Sequence, residues 1–207
     1  MAFSPELLGY IVDNLASEGY SIVPDAMPAY EVAALAADCR QGWQAGRFHA
    51  AAVGRGDAQQ VVTDIRADHV CWVNEQHVTP PQAAYLIQME GLRQALNAGL
   101  YLGLFELETH FALYPPGAFY KRHVDNFRGT GQRLVTTILY LNADWQFGDG
   151  GELRIYLDEQ NDSRYIDVEP RAGTLVTFLA ADFFHEVLPA YQPRMSLTGW
   201  FRKRTGA

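Results

Sequence analysis

The sequence has little cysteine, little positive charge and no long apolar run. Its two cysteines, Cys39 and Cys71, stand far apart and outside any C-x-x-C spacing, which excludes a disulfide framework and a thiolate zinc site. Lys and Arg number 16 against 24 Asp and Glu, a net charge of −8. Nucleic acid is therefore not expected as a partner, because phosphate binding needs several cations on one face. The short basic run Arg202-Lys203-Arg204 reads as a solvated end. No stretch approaches the roughly 18 to 20 apolar residues that cross a bilayer, so no membrane partner is expected either. The start Met1-Ala2-Phe3-Ser4-Pro5-Glu6 lacks a basic segment followed by an apolar one, and the expected location is the cytoplasm. No Gly-rich turn enters a helix as a phosphate cradle requires, and no segment repeats. What is present is 48% hydrophobic and 13% aromatic over 207 positions, enough apolar surface to offset the entropy of ordering the chain. A single domain over residues 1–207, acting as a monomer, is the expectation.

The first hundred residues read mainly as helix and the second hundred as short strands, an α+β layout. Ser4-Pro5 is an N-cap and first-turn pair, followed by an apolar stripe of Leu7, Leu8, Ile11, Val12 and Leu15 that Gly19 stops. A second helix from Pro28 carries Val32, Leu35, Cys39 and Trp43 on one face. A third follows Thr79-Pro80-Pro81, with Tyr85, Met89, Leu92 and Leu96 in its stripe. Between the second and third lies a polar, Gly-rich segment from Gly54 that regains strand character up to Trp72; a loop of that length in a compact domain is disordered or functional. From Phe105 the period changes to two. β-rich runs follow at 105–113, 119–125, 134–142, 152–157, 165–168, 174–179, 185–188 and 194–202, separated by Gly and Pro. Eight such strands predict a sandwich or jelly roll, buttressed by the N-terminal helices.

His123-Val124-Asp125 falls in a strand, where residues two apart share a face. His185 opens another strand 62 residues later. Two histidines and one carboxylate on rigid strands form the facial triad of non-haem iron(II) oxygenases. The H-x-D pattern alone is equally that of a strand end followed by a turn aspartate. Arg194 lies nine residues beyond His185, with Ser196, Thr198 and Trp200 on its face, and a buried arginine facing a metal pocket requires an anion. Tyr140 can offer a phenolic donor to the same carboxylate. A dicarboxylate that chelates iron at one end and meets arginine at the other describes 2-oxoglutarate.

The segments Tyr120 to Asn126, Val135 to Trp145, Gly150 to Ile155 and His185 to Tyr191 resemble the prolyl hydroxylases of the hypoxia-inducible-factor type. The similarity runs from about Asp64 to Phe201. It implies a double-stranded β-helix over residues 105–207, helical support over 1–104, and a mobile substrate loop over about 54–68. It also implies Fe(II), with 2-oxoglutarate and O2 as cosubstrates and ascorbate as an auxiliary reductant. By the same resemblance His123, Asp125 and His185 would hold iron, and Arg194 and Tyr140 the distal carboxylate of 2-oxoglutarate. Tyr114 would lie near its chelating end, and Thr198, on the Arg194 face, is counted with the cofactor-binding side chains. Trp200 and Arg133 would stand at the substrate mouth, with Asp68 paired to Arg133, and Asp64 belongs to the same substrate segment. The implied reaction is proline 4-hydroxylation in a protein, coupled to conversion of 2-oxoglutarate to succinate and CO2. Compact bacterial members, which the sequence is similar to, act on elongation factor Tu. A free amino acid or small molecule as substrate, or a noncatalytic metal-binding or oxygen-sensing module on the same scaffold, are the alternatives. His110 departs from the human members of the family, which are apolar there, and is expected to be partly exposed.

Overall fold

The computed structural model describes residues 2–52, 60–74, 76–126 and 132–204. Residues 54–59 of the expected substrate loop lie outside them. Local chemistry explains the three helices. In α1 (Pro5–Ser17) the Ser4 hydroxyl accepts from the Leu7 amide at 3.2 Å, and in α3 (Pro80–Leu100) Thr79 and Gln82 cap each other reciprocally. Such a capping box satisfies two of the helix's orphan donors at once. The Thr79 hydroxyl also donates to Asp38 of α2 (Ala29–Gln44), which ties the two helices together. Tyr85, Met89, Leu92 and Leu96 of α3 are all buried, each contributing about 1.5–3 kcal/mol of apolar burial. Trp43, expected on the buried face of α2, is 39% exposed. It lies at the last turn and packs edge-on against Phe48 and His69.

Eleven strands are found among the described residues. They are β1 (Tyr20–Val23), β2 (His49–Ala50), β3 (His69–Trp72), β4 (Leu104–Tyr114), β5 (Tyr120–His123), β6 (Arg133–Tyr140), β7 (Leu153–Tyr156), β8 (Tyr165–Val168), β9 (Leu175–Leu179), β10 (His185–Val187) and β11 (Arg194–Lys203). The last eight correspond to the eight β-rich runs of the sequence. A seven-stranded sheet in the order β1-β9-β6-β11-β4-β3-β2 faces a four-stranded sheet in the order β5-β10-β7-β8. The pairings within both are antiparallel, and together they make the expected double-stranded β-helix. The first hundred residues do more than buttress it, since β1 and β3 extend the large sheet. β1 escaped the sequence reading because four residues between Gly19 and Pro24 are too few to show a period.

Alternation sorts the large sheet's side chains into two cores. Leu113, Phe111, Leu197, Val135, Leu139 and Phe201 pack under the helices. Ala112, Tyr114, Ile138, Tyr140, Val176 and Phe178 face the small sheet. That second, inner face carries the chemistry. Lys203 and Arg204 at the basic end are exposed, as expected, with Arg204 stacked over Phe105, whereas Arg202 is partly buried and pairs with Glu106 and Glu108 on β4. Strand β11 continues to Lys203, and the β4 ladder sets Glu106 opposite Arg202. Among the described residues no helix is long and apolar enough to cross a membrane.

Candidate functional site

Strands β5 and β10 pair with His123 directly opposite His185, which brings their ring centroids to 4.2 Å. β5 ends at His123, so Asp125 projects from the bend beyond it rather than from the strand. Its carboxylate lies 3.7 Å from His123 Nε2 and 3.5 Å from His185 Nε2, and ligand atoms of all three side chains lie within 4.8 Å of one another. The geometry suits a metal. His123 Nδ1 is 2.8 Å from the Lys121 carbonyl and His185 Nδ1 is 3.1 Å from the Phe183 carbonyl. A carbonyl only accepts, so each Nδ1 must carry the proton and each Nε2 presents its lone pair inward. Burial, and next the neighbouring His123 ring, push His185 down to about 4, which keeps it neutral. Burial alone would raise the Asp125 carboxyl, but His185 and His123 beside it hold it below the usual carboxylate range. The Thr136 hydroxyl donates to Asp125 at 2.7 Å and fixes its orientation.

Next to this set, Arg194 is 2% exposed, and no carboxylate among the described residues pairs with it. Its Nε donates to the Gly151 carbonyl at 2.8 Å, and its guanidinium carbon lies 4.8 Å from the Tyr114 ring and 5.0 Å from the Tyr140 ring. The Tyr140 hydroxyl is fully buried and has no hydrogen-bond partner among the described residues. Burial pushes it up to about 12 while the Arg194 charge pulls the other way, so it is a protonated donor. A buried cation and an unsatisfied phenol on one wall fit the far carboxylate of a dicarboxylate. Thr198 sits partly buried on the same strand with its hydroxyl 3.2 Å from that of Ser196. Gly151 has a φ of +66, and a Cβ there would sit 3.0 Å from Arg194 Cδ and 3.1 Å from Ala190 Cβ. Gly151→Ala should therefore cost about 1–3 kcal/mol of stability in urea melts. It should also raise KM for 2-oxoglutarate several-fold, because Arg194 must shift.

On the remaining side the expected pairing of Asp68 with Arg133 is not found. Asp68 is held by Arg66, at 2.7 and 2.6 Å through both forks, and Arg133 donates to Glu108 at 2.6 Å. Arg66 lies two residues from Asp68 on one extended segment, so its fork reaches without any long-range approach. Arg133 instead lies over Trp200, 3.6 Å from the ring centroid. Asp64 is exposed in a turn before this segment. Sequence reasoning also passed over Tyr120, whose ring stacks on His123 at 3.6 Å and 17° while Arg66 covers its other side at 4.2 Å. Residues three apart on a strand normally face opposite ways, and the irregular β5–β10 pairing between His185 and Val187 marks the departure. Thr136 could have been found, since it shares the inner face of β6 with Tyr140.

His110 is buried, not partly exposed as expected, and is clasped between Trp72 and Trp200 at 4.8 and 5.4 Å between ring centroids. Burial pushes it down to about 3. Because the folded value lies below the unfolded one, near 6.5, the unfolded chain binds the extra proton. Stability from this residue is complete above about pH 6.5 and is lost as pH falls toward 3, at about 1.4 kcal/mol per pH unit. In urea titrations, the loss of stability between pH 7 and pH 5 should be about 2 kcal/mol smaller for His110→Leu than for the parent chain.

A double-stranded β-helix carrying two histidines and a carboxylate beside a buried arginine is the architecture of the 2-oxoglutarate- and Fe(II)-dependent oxygenases. Residues 109–202 match the model of the 2OG-Fe(II) oxygenase superfamily. A prolyl-4-hydroxylase of known structure from Pseudomonas putida is 45% identical, covering 96% of this chain and 100% of that one, with a TM-score of 0.85. A prolyl hydroxylase from Trichoplax adhaerens, solved with a hypoxia-inducible-factor oxygen degradation domain peptide, is 26% identical over 96% of this chain and 90% of that one, with a TM-score of 0.84. Human Egl nine homolog 1 is 31% identical over 202 residues, 94% of this chain and 46% of that protein. This chain thus spans about half the length of the curated relative. The chain belongs to the 2OG-Fe(II) oxygenase superfamily, among its prolyl hydroxylases of the hypoxia-inducible-factor type. Members of this family use Fe(II), 2-oxoglutarate and O2.

Proposed function

We propose that the chain is a protein prolyl 4-hydroxylase, with residues 1–207 forming one catalytic domain that works as a monomer in the cytoplasm. The observation that carries the reading is the coexistence, between the two sheets, of the His123, Asp125 and His185 ligand set with Arg194 and Tyr140, the first without a carboxylate and the second without a hydrogen-bond partner among the described residues. A binding module needs the first group but has no use for the second. His123, Asp125 and His185 would hold Fe(II) through one atom each. Arg194 and Tyr140 would take the distal carboxylate of 2-oxoglutarate, with Tyr114 and Thr198 alongside. When bound, the iron and keto acid supply the oxidising equivalent: one oxygen atom of O2 ends in succinate, released with CO2, and the other replaces a C4 hydrogen as hydroxyl.

The protein's own contribution is orientation and exclusion. Thr136 keeps the Asp125 carboxylate turned toward the histidines, and the carbonyls of Lys121 and Phe183 take the Nδ1–H of each ring, leaving Nε2 to face the site. Trp200 and Tyr114 present apolar walls that suit a pyrrolidine ring. Arg133, Asp68 and Asp64 would line the approach of the polypeptide, and the segment over about 54–68 would cover it and keep water from the oxidising centre. Ascorbate would serve as an auxiliary reductant. For the target we propose elongation factor Tu, as for the compact bacterial members that the sequence resembles. Incubation with Fe(II), 2-oxoglutarate and purified elongation factor Tu is expected to release succinate and add the mass of one oxygen atom at a proline. Succinate release that does not depend on any added protein would discard the protein-substrate reading.

A further inference from the structure

The two histidines of the ligand set are not held alike. The His185 side chain is 4% exposed, stands edge-on to Phe178 at 4.8 Å, and belongs to a strand paired on both sides. The His123 side chain is 12% exposed and ends β5, which stands last in the small sheet and pairs with β10 at two positions with an irregularity between them. Pairing that short holds a strand weakly. A metal ligand needs its ring orientation fixed from behind, so His123 depends on support from outside the sheet.

That support comes from residues 65–68, which add themselves to the outer edge of β5. The Lys121 amide donates to the Ile65 carbonyl at 2.9 Å, the Ala67 amide donates to the Phe119 carbonyl at 3.0 Å, and Arg66 stands opposite Tyr120. Two routes lead from this segment to His123. Along the backbone, Lys121, held by Ile65 at its N–H, is the residue whose carbonyl accepts from His123 Nδ1 at 2.8 Å. Through the side chains, Asp68, 1% exposed, grips both forks of Arg66. Arg66 lies 4.2 Å over one face of Tyr120, and the opposite face stacks on the His123 ring at 3.6 Å and 17°. The pile is anchored at a buried carboxylate and ends on the imidazole. We propose that Arg66 and Tyr120 are positioning residues for His123, and that the order of segment 65–68 is thereby coupled to metal affinity. Such coupling is reciprocal: the segment acts on metal binding by the same factor by which the metal acts on the segment. The proposal rests on the ligand-set reading above and is independent of the substrate.

The test uses 15N-labelled protein loaded with zinc(II) for NMR and titrated with cobalt(II) for affinity. The two Nδ1–H signals are told apart by their contacts with the Tyr120 and Phe178 rings. Tyr120→Leu keeps apolar bulk but loses the flat face. It should weaken cobalt binding about tenfold, as for other groups that orient a metal ligand, and move the His123 signal while leaving that of His185 in place. Tyr120→Phe keeps the face and should bind within twofold of the parent. Arg66→Ala leaves β5 itself intact and should weaken binding about three- to fivefold, the worth of one cation–π contact, and Arg66→Lys should recover part of that. Zinc should slow amide exchange at Ala67 and Lys121 in the parent, and by less in Tyr120→Leu. Cobalt affinity within twofold of the parent in both Tyr120→Leu and Arg66→Ala would overturn the positioning role, as would equal movement of the two histidine signals. Exchange at Ala67 and Lys121 that ignores zinc would overturn the coupling. A parent chain that binds no cobalt would instead remove the ligand set, and this proposal with it.

Discussion

Replacing His185 with alanine is expected to abolish metal binding and keto-acid turnover together while the chain stays folded. His185 is one of only three protein donors in the cluster, its Nε2 3.5 Å from Asp125, and it is 3% exposed. Removing one of three ligands leaves two, and losing about 4 kcal/mol of stabilisation at the reacting centre corresponds to roughly a 10³-fold drop in turnover. Asp125→Ala should behave alike. Its loss also removes a buried carboxylate that Thr136 and the two histidines hold in its ionised form, so the metal-free protein should be less stable than the parent as well. The measurements are succinate formation, cobalt(II) titration followed by visible absorption, and thermal melting of the metal-free chains. Near-normal cobalt affinity in His185→Ala would show that the ligands lie elsewhere.

Arg194→Ala should show a different signature. Cobalt(II) should still bind, but KM for 2-oxoglutarate should rise by roughly 30-fold to several thousand-fold, the range set by about 2–5 kcal/mol for one half of a buried, hydrogen-bonded charge pair. Arg194→Lys keeps the charge but loses the fork that both meets the anion and donates to the Gly151 carbonyl, so it should recover only part of that loss. Tyr140→Phe removes a single donor and should cost about tenfold. Saturation curves for 2-oxoglutarate in the three variants decide the matter. If Arg194→Ala keeps the parent KM, the cation faces something other than the keto acid.

The eight C-terminal strands could be read from alternation and from the Gly and Pro breaks, because each side chain's face follows from parity once the strand is found. The same rule put Arg194, Thr198 and Trp200 on one face of their strand and Tyr140 with Thr136 on one face of theirs before any coordinates. It failed where the backbone leaves the ideal strand. Asp125 reaches the ligand set from a bend, and Tyr120 stacks on His123 across an irregular pairing. It also failed where the answer depends on which of two partners is nearer. Arg66, two residues from Asp68, makes the ion pair expected of Arg133, and a four-residue strand such as β1 holds too little pattern to betray itself. His110 looked like a polar surface residue because nothing in a strand's parity says that Trp72 will close over it.

The ligand set does not belong to either sheet alone. His123 and His185 stand on the small sheet, whereas Asp125 is steered by Thr136 on the large one. An ion held by all three would act as a rivet through the layers, and separation of the sheets would have to release it first. By mass action, binding to the folded form alone at a hundredfold excess over Kd adds about 2.7 kcal/mol of stability. The added protection should not spread evenly. Amide hydrogen exchange should slow most in β5 and β10, short strands that β-pairing by itself holds weakly, so loading would convert the least secure layer of the fold into part of its most cooperative unit.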